Sequence, residues 1–271
     1  MRRLCTLLIL ASLAGPAAAK DIVFSAPPRE SAADGQATYG PIAEYLSGRL
    51  GRRVVYRHSR DWLSYIQHIQ HDGYDLVFDG PHFVGYRMAK FGHVPLVRLP
   101  GSLDFVIIAR RDNRQVVELK DLAGRPVCGH APPNLATLTL QAQFPNLSRQ
   151  PRILETRGFK NAFLGVIKRR CDAAPIPTRV YAKLDRGANG GQTRILYQSA
   201  PLPHQAFTAG RRVTPEEQEK IAAALLAPEA ATPTERLRAR FAGGKALLPA
   251  RAEDYRGLYR LLRFVWGFEV E

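Results

Sequence analysis

The feature that most constrains this chain is a strand–helix pattern that occurs twice. Ile22-Val23-Phe24 is a short apolar strand that ends at Ser25-Ala26-Pro27-Pro28. A helix follows, with Ile42, Leu46 and Leu50 on one face. Val54-Val55-Tyr56 is the next strand, and Trp62, Tyr65, Ile66 and Ile69 mark a second helix that stops at Gly73. Asp75-Leu76-Val77-Phe78 is a third strand, closed by Asp79-Gly80-Pro81. The same order returns at Arg125–Gly129, at the helix face of Leu135, Leu138 and Ala142, and at Arg152–Glu155. It continues with the helix face of Ala162, Val166 and Ile167 and closes with Cys171-Asp172-Ala173-Ala174 before Pro175-Ile176-Pro177. A βαβαβ unit requires a parallel sheet covered by helices. Two such units predict two α/β lobes, each a mostly parallel sheet flanked by helices.

Two further strand-like segments sit where the chain must pass between lobes. They are Asp104–Ala109, with a basic exit at Arg110-Arg111, and His204–Gly210. The predicted division is lobe one at 20–104 and 205–271, and lobe two at 105–204. The last part is read as helical. Thr214-Pro215-Glu216-Glu217 carries an N-cap, a first-turn proline and a capping-box Glu, and Thr232-Pro233-Thr234-Glu235 repeats that signal. Tyr255 to Trp266 reads as one amphipathic stretch whose aromatic stripe packs against lobe one.

The N-terminus carries an export signal. Met1-Arg2-Arg3 is positive, Leu7 to Ala14 is apolar and too short to span a bilayer, and Ala17-Ala18-Ala19 is a small-residue cleavage pattern before Lys20. We read residues 1–19 as a cleaved signal peptide and expect the mature protein in the periplasm, where disulfides persist. Beyond the leader there is no apolar run of 18 residues, which excludes an integral membrane protein. Loss of two Arg and no acid takes the formal net charge from +15 to +13. Export, and the lack of a zinc-type Cys cluster or an aromatic RNA-binding stretch, argue against nucleic acid as partner. Cys128 and Cys171 remain, on the first and third strands of lobe two. They are either a disulfide or two buried thiols too far apart to bond.

The order and spacing of several segments resemble a known family. They are Tyr39-Gly40-Pro41-Ile42-Ala43-Glu44-Tyr45-Leu46-Ser47, Gly73–Pro81, Leu119–Arg125 and Phe163–Asp172. The chain resembles the phosphate/phosphite/phosphonate-type periplasmic substrate-binding proteins of ABC transporters. The fold that this implies is a two-lobed type II periplasmic-binding-protein plan, joined by two crossover strands. The resemblance implies a monomer that clamps a small ligand, with an oxyanion or phosphonate-like anion as the candidate, between the lobes and hands it to a membrane permease. An alternative is an exported sensor that presents its bound state to a receptor such as a histidine kinase. No cofactor and no enzymatic role are predicted, since neither Gly-x-Ser-x-Gly nor His-Glu-x-x-His occurs.

In open α/β sheets ligands lie beyond the carboxyl ends of the strands. The candidate ligand-binding residues are therefore Ser25, Arg29, Tyr39, Gly80 and His82 in lobe one, and His130, Pro133, Asn134, Arg157 and Phe159 in lobe two. Arg29 and Arg157 suit an anion through the guanidinium fork. Tyr39 is either a ligand-facing phenol or a core residue of its helix. Asp79 is expected to cap the helix that follows it. The phosphonate-binding relatives resemble one another in a Ser-Thr-Ser-Gly-like stretch at the first helix of lobe two. Here it reads Pro132-Pro133-Asn134-Leu135-Ala136-Thr137, and the family His and acid correspond to Phe159 and Pro177. Two prolines remove backbone donors, so the prolines, Tyr39 and Phe159 are equally fit to line an apolar pocket for an organic ligand. His68 and His71 stand three apart on a helix, and a solvated face is the simpler reading of them.

Overall fold

The computed structural model describes residues 20–266, so the leader read at 1–19 lies outside the described residues. The strands are β1 Ile22–Ser25, β2 Val54–Tyr56, β3 Leu76–Asp79, β4 Val94–Arg98, β5 Ser102–Leu103, β6 Phe105–Arg110 and β7 Pro126–Gly129. They continue as β8 Arg152–Glu155, β9 Ala173–Pro177, β10 Thr193–Gln198, β11 Leu202–Pro203, β12 Ala206–Ala209 and β13 Leu248–Pro249. The main helices are α1 Ala32–Leu50, α2 Trp62–Gln70, α3 Pro81–Phe91, α4 Leu135–Gln141, α5 Phe159–Ile167, α6 Thr178–Leu184, α7 Pro215–Leu226 and α8 Glu235–Ala242.

These elements form two lobes. One sheet has the order β13-β4-β12-β3-β1-β2 and the other β10-β6-β9-β7-β8. In each, the βαβαβ unit supplies a parallel trio, β2-β1-β3 and β8-β7-β9. In each, the third strand then pairs antiparallel with a strand that enters after a crossing: β12 beside β3, and β6 beside β9. The sheets are thus mixed, and the predicted parallel character belongs to the trios. The crossings lie at β5 and β11, which pair with each other antiparallel (Leu202 opposite Leu103), so the two connections form one short ribbon.

Apolar periodicity explains the cores. Ile22, Phe24, Leu76, Phe78 and Phe207 face α1, α7 and α8, while Val77 faces the layer of Tyr65, Ile69, Phe83 and Tyr86. In lobe two, Val106, Ile108 and Ile176 meet Phe163 and Val166 of α5, and Ile107, Val127 and Ala173 meet Leu140 of α4. The capping box at Thr214 and Glu217 is present, with the Thr214 hydroxyl accepting from the Glu217 N–H. The Thr234 hydroxyl instead donates to the Ala230 carbonyl, and it makes no cap to α8.

The C-terminal stretch differs from a single amphipathic helix. It breaks into helical turns at Ala252–Tyr255, Leu258–Leu262 and Arg263–Trp266, because Gly257 takes a left-handed conformation at φ 78°. Its stripe packs on both lobes. Leu262 joins Phe83 and Tyr86 of lobe one together with Leu138 of lobe two, and Leu261 packs against Leu135 and Ala136.

Cys128 and Cys171 are joined as a disulfide, with Cα atoms 5.6 Å apart. Cys128 lies on β7 and Cys171 two residues ahead of β9, its neighbour in the sheet, which sets the required spacing. Helix α5 crosses directly over the bridge: a Cβ on Gly165 would lie 2.5 Å from the Cys128 Sγ. Mass spectrometry after alkylation without reduction is expected to find neither residue labelled, and two labelled thiols would show the bridge to be absent.

Candidate functional site

The carboxyl ends of both parallel trios meet at the ribbon between the lobes. In lobe one, β3 ends at Asp79, and Gly80 is the N-cap of α3 with Pro81 at its first turn. Asp79 does not cap α3. Its carboxylate is fully buried, accepts 2.9 Å from Arg87 Nε, and takes a 2.5 Å hydrogen bond from the Tyr65 hydroxyl. This is a correction to the sequence reading, and its cause lies about two helical turns further on, where α3 supplies Arg87. The buried trio holds the end of β3 rigidly and so fixes where His82 stands.

His82 is fully buried in the second position of α3, and neither ring nitrogen makes a well-formed hydrogen bond. Burial is the main cause that drives its pKa down from 6.5 to about 3; Arg29 adds to this, and the backbone of Pro133 works against it. Pro133 belongs to lobe two, so His82 is a point where the lobes meet. Gly80 is required by this packing, since a Cβ there would lie 2.9 Å from the His82 ring.

Arg29 follows β1 and lies over the Phe241 ring, 5.9 Å from its centroid. Its Nη1 is buried without a hydrogen-bond partner. The adjacent Glu30 carboxylate, 4% exposed, is ion-paired with Arg240 at 2.8 Å, and its oxygens, like Arg29 Nη1, are buried without a hydrogen-bond partner. Around Arg29 stand further basic groups. His204, in the ribbon's exit, is buried, and its pKa is driven down from 6.5 to about 4 by burial first, then by Arg179, Arg98 and Arg29. Its Nδ1 accepts from the Gln205 N–H at 2.9 Å, which places the ring proton on Nε2. Thr178, which opens α6 at the end of β9, has a buried hydroxyl without a partner, as does the Gln205 side-chain oxygen. Arg29 and Arg98 from lobe one and Arg179 from lobe two are thus all near enough to act on His204 of the ribbon, and Thr178 precedes Arg179. Buried donors without partners carry a desolvation penalty that a bound acceptor removes.

The structure treats the other sequence candidates unequally. The Ser25 hydroxyl is committed to the Arg57 carbonyl at 2.8 Å. Tyr39 has its ring wholly inside the lobe-one core, 5.1 Å from Tyr56 and 5.9 Å from Phe24, which excludes it from lining an open pocket. Its hydroxyl tip lies beside Arg29 and Glu30, and burial holds its pKa above the ordinary phenol range. Asn134 caps α4, accepting from the Ala136 N–H at 3.0 Å. His130 and Phe159 form an edge-to-face pair at 4.8 Å. Burial lowers the His130 pKa, and Glu155 partly opposes this. Arg157 is exposed, two residues beyond the edge strand β8. Arg98, Arg179 and His204 join the candidate site, and the sequence reading leaves them out. Their one signal is position, at the end of β4, directly after Thr178, and at the predicted crossing.

His68 and His71 bond back to the carbonyls of Ser64 and Gln67 on their own helix. Among the described residues no group of three or more metal-ligating side chains comes together. Open grooves elsewhere, such as one of about 420 Å³ along α1 and β2, contain none of these unpaired buried donors.

Comparisons with known proteins agree with this fold. The model of the family "ABC transporter, phosphonate, periplasmic substrate-binding protein" matches residues 24–255. A curated relative, the phosphate-import protein PhnD of Mycolicibacterium smegmatis, is 23% identical over 223 residues, 74% of this chain and 69% of its own. Among solved structures, XAC2383 from Xanthomonas citri bound to ATP superposes with a TM-score of 0.67 at 16% identity, covering 89% of this chain and 95% of that one. PhnD1 from Prochlorococcus marinus in complex with methylphosphonate gives 0.63 at 11% identity, covering 91% and 98%.

Proposed function

Because the chain belongs to the phosphonate-type periplasmic substrate-binding protein family of ABC transporters, we propose that it captures a small anion between its lobes and delivers it to a membrane permease. The observation that carries this reading is Arg29, a cation at the lobe junction whose buried Nη1 has no partner while the neighbouring carboxylate is taken by Arg240. A buried guanidinium nitrogen without an acceptor is unfavourable in the ligand-free protein. It becomes favourable when an anion arrives. Fold and family are those of a binding protein rather than a catalyst. The leader-like residues 1–19 support the periplasm as its place.

Thermal unfolding of the purified protein with phosphate, phosphite, methylphosphonate, sulfonates and small organic acids tests this. A ligand that binds only the folded state raises the apparent Tm. One anion class is expected to raise it, and Arg29→Met is expected to lose that rise while its ligand-free form stays at least as stable as the parent. A rise that persists in Arg29→Met, or no rise with any anion, would overturn the reading.

A further inference from the structure

The two lobes offer different chemistry to whatever enters. The start of α4 is poorly equipped for a tetrahedral oxyanion. It follows a cis Pro132-Pro133 pair, and prolines carry no N–H. The Ala136 N–H is already bound by Asn134, and the Thr137 hydroxyl donates 2.6 Å inward to the His130 carbonyl. What lobe two presents there instead is apolar. Pro133 is buried, and Phe159 is half-buried in edge contact with His130. Phe159 also packs, with Leu103 and Leu202 of the ribbon, against Phe105 and Leu135.

The donors lie on the other side: Arg29 Nη1, the Thr178 hydroxyl and His204 Nε2, with Arg98 and Arg179 close enough to act on His204. A phosphate or phosphonate dianion spreads charge over three or more oxygens and leaves some facing an apolar wall, at the desolvation penalty of each. A carboxylate has two oxygens in one plane, matched by a guanidinium fork. A flat apolar body then gains by contact with Phe159 and Pro133.

Resting on the anion-capture reading, we infer that the junction takes a monoanionic aryl carboxylate, with its head on Arg29 and Thr178 and its ring against Phe159 and Pro133. Titration calorimetry with benzoate, acetate, methylphosphonate, phenylphosphonate and inorganic phosphate tests the class. Benzoate is expected to bind at least about tenfold more tightly than each of the others, the ring accounting for the margin over acetate. In Phe159→Ala the preference for benzoate over acetate is expected to collapse to within roughly threefold. Phe159→Leu, which keeps the apolar volume, checks this on a second background if the Ala variant unfolds. If phosphate or either phosphonate binds as tightly as benzoate, the aryl carboxylate assignment falls and anion capture stands. If the benzoate preference is unchanged in both Phe159 variants, the ring contact falls. If none of the five binds and no anion gives an Arg29-dependent thermal shift, both readings fall together.

Discussion

Asp79→Ala is expected to destabilise the ligand-free protein by roughly 3–5 kcal/mol, because it strands the Arg87 guanidinium in the interior. Both side chains of the pair are fully buried, at 2.9 Å, and the Tyr65 hydroxyl loses its acceptor as well. The Nη1 and Nη2 of Arg87 already lack partners, so no second acceptor is in place to take up the charge. The pair itself contributes less than this figure, since desolvation of both ions opposes their attraction. Asp79→Leu combined with Arg87→Met should therefore recover most of the loss. Urea unfolding of the parent, the two single variants and the double variant measures the coupling. A loss below about 1 kcal/mol in Asp79→Ala would mean that the pair does not hold β3 to α3.

Acidification is expected to weaken the fold between pH 6.5 and pH 3, and His82 is expected to carry much of the effect. Its pKa is about 3 in the folded protein against 6.5 for an unperturbed ring, through burial and then Arg29. In this interval the unfolded chain binds the proton and the folded chain does not, so stability falls as pH falls and is fully present above 6.5. The gap amounts to roughly 5 kcal/mol once pH 3 is reached, and to roughly 2–3 kcal/mol by pH 4.5. His204, at about 4, acts in the same direction for a related reason: burial first, then Arg179, Arg98 and Arg29. Urea unfolding at pH 7 and pH 4.5 should show a markedly smaller loss in His82→Gln than in the parent. An equal loss in both would assign the acid sensitivity to other groups. A bound anion beside Arg29 favours the imidazolium forms, so it should also reduce the parent's loss at pH 4.5.

The fold was largely legible in the chain because apolar periodicity and turn residues are local signals. Ile42, Leu46 and Leu50 on one face announce α1, and Thr214 with Glu217 announces the start of α7. The C-terminal stretch misleads, because the left-handed Gly257 splits a pattern that satisfies helical spacing on both of its sides. The site was less legible. Arg29 and His82 are found from strand-end position, yet Arg157 holds the same kind of position and is exposed. The difference is that β8 is an edge strand whereas β1 and β3 lie inside their sheet. Strand order depends on long-range pairing, and spacing in the chain does not encode it.

Sequence alone thus determined the doubled βαβαβ plan and the absence of hydroxyls ahead of α4, whereas the segments read as crossings, Asp104–Ala109 and His204–Gly210, supply the in-sheet strands β6 and β12 next to the crossing ribbon. Hydrophobic period, turn chemistry and residue identity are properties of short segments. Only the tertiary structure decided that Asp79 serves Arg87 rather than a cap, that Glu30 turns to Arg240, and that Arg29 is left with an unpartnered nitrogen beside His204 and Thr178. Partner choice among buried charges is set by which groups lose water together. That is decided by residues up to about two hundred positions apart, such as Glu30 and Arg240, meeting at the junction of two separately built sheets.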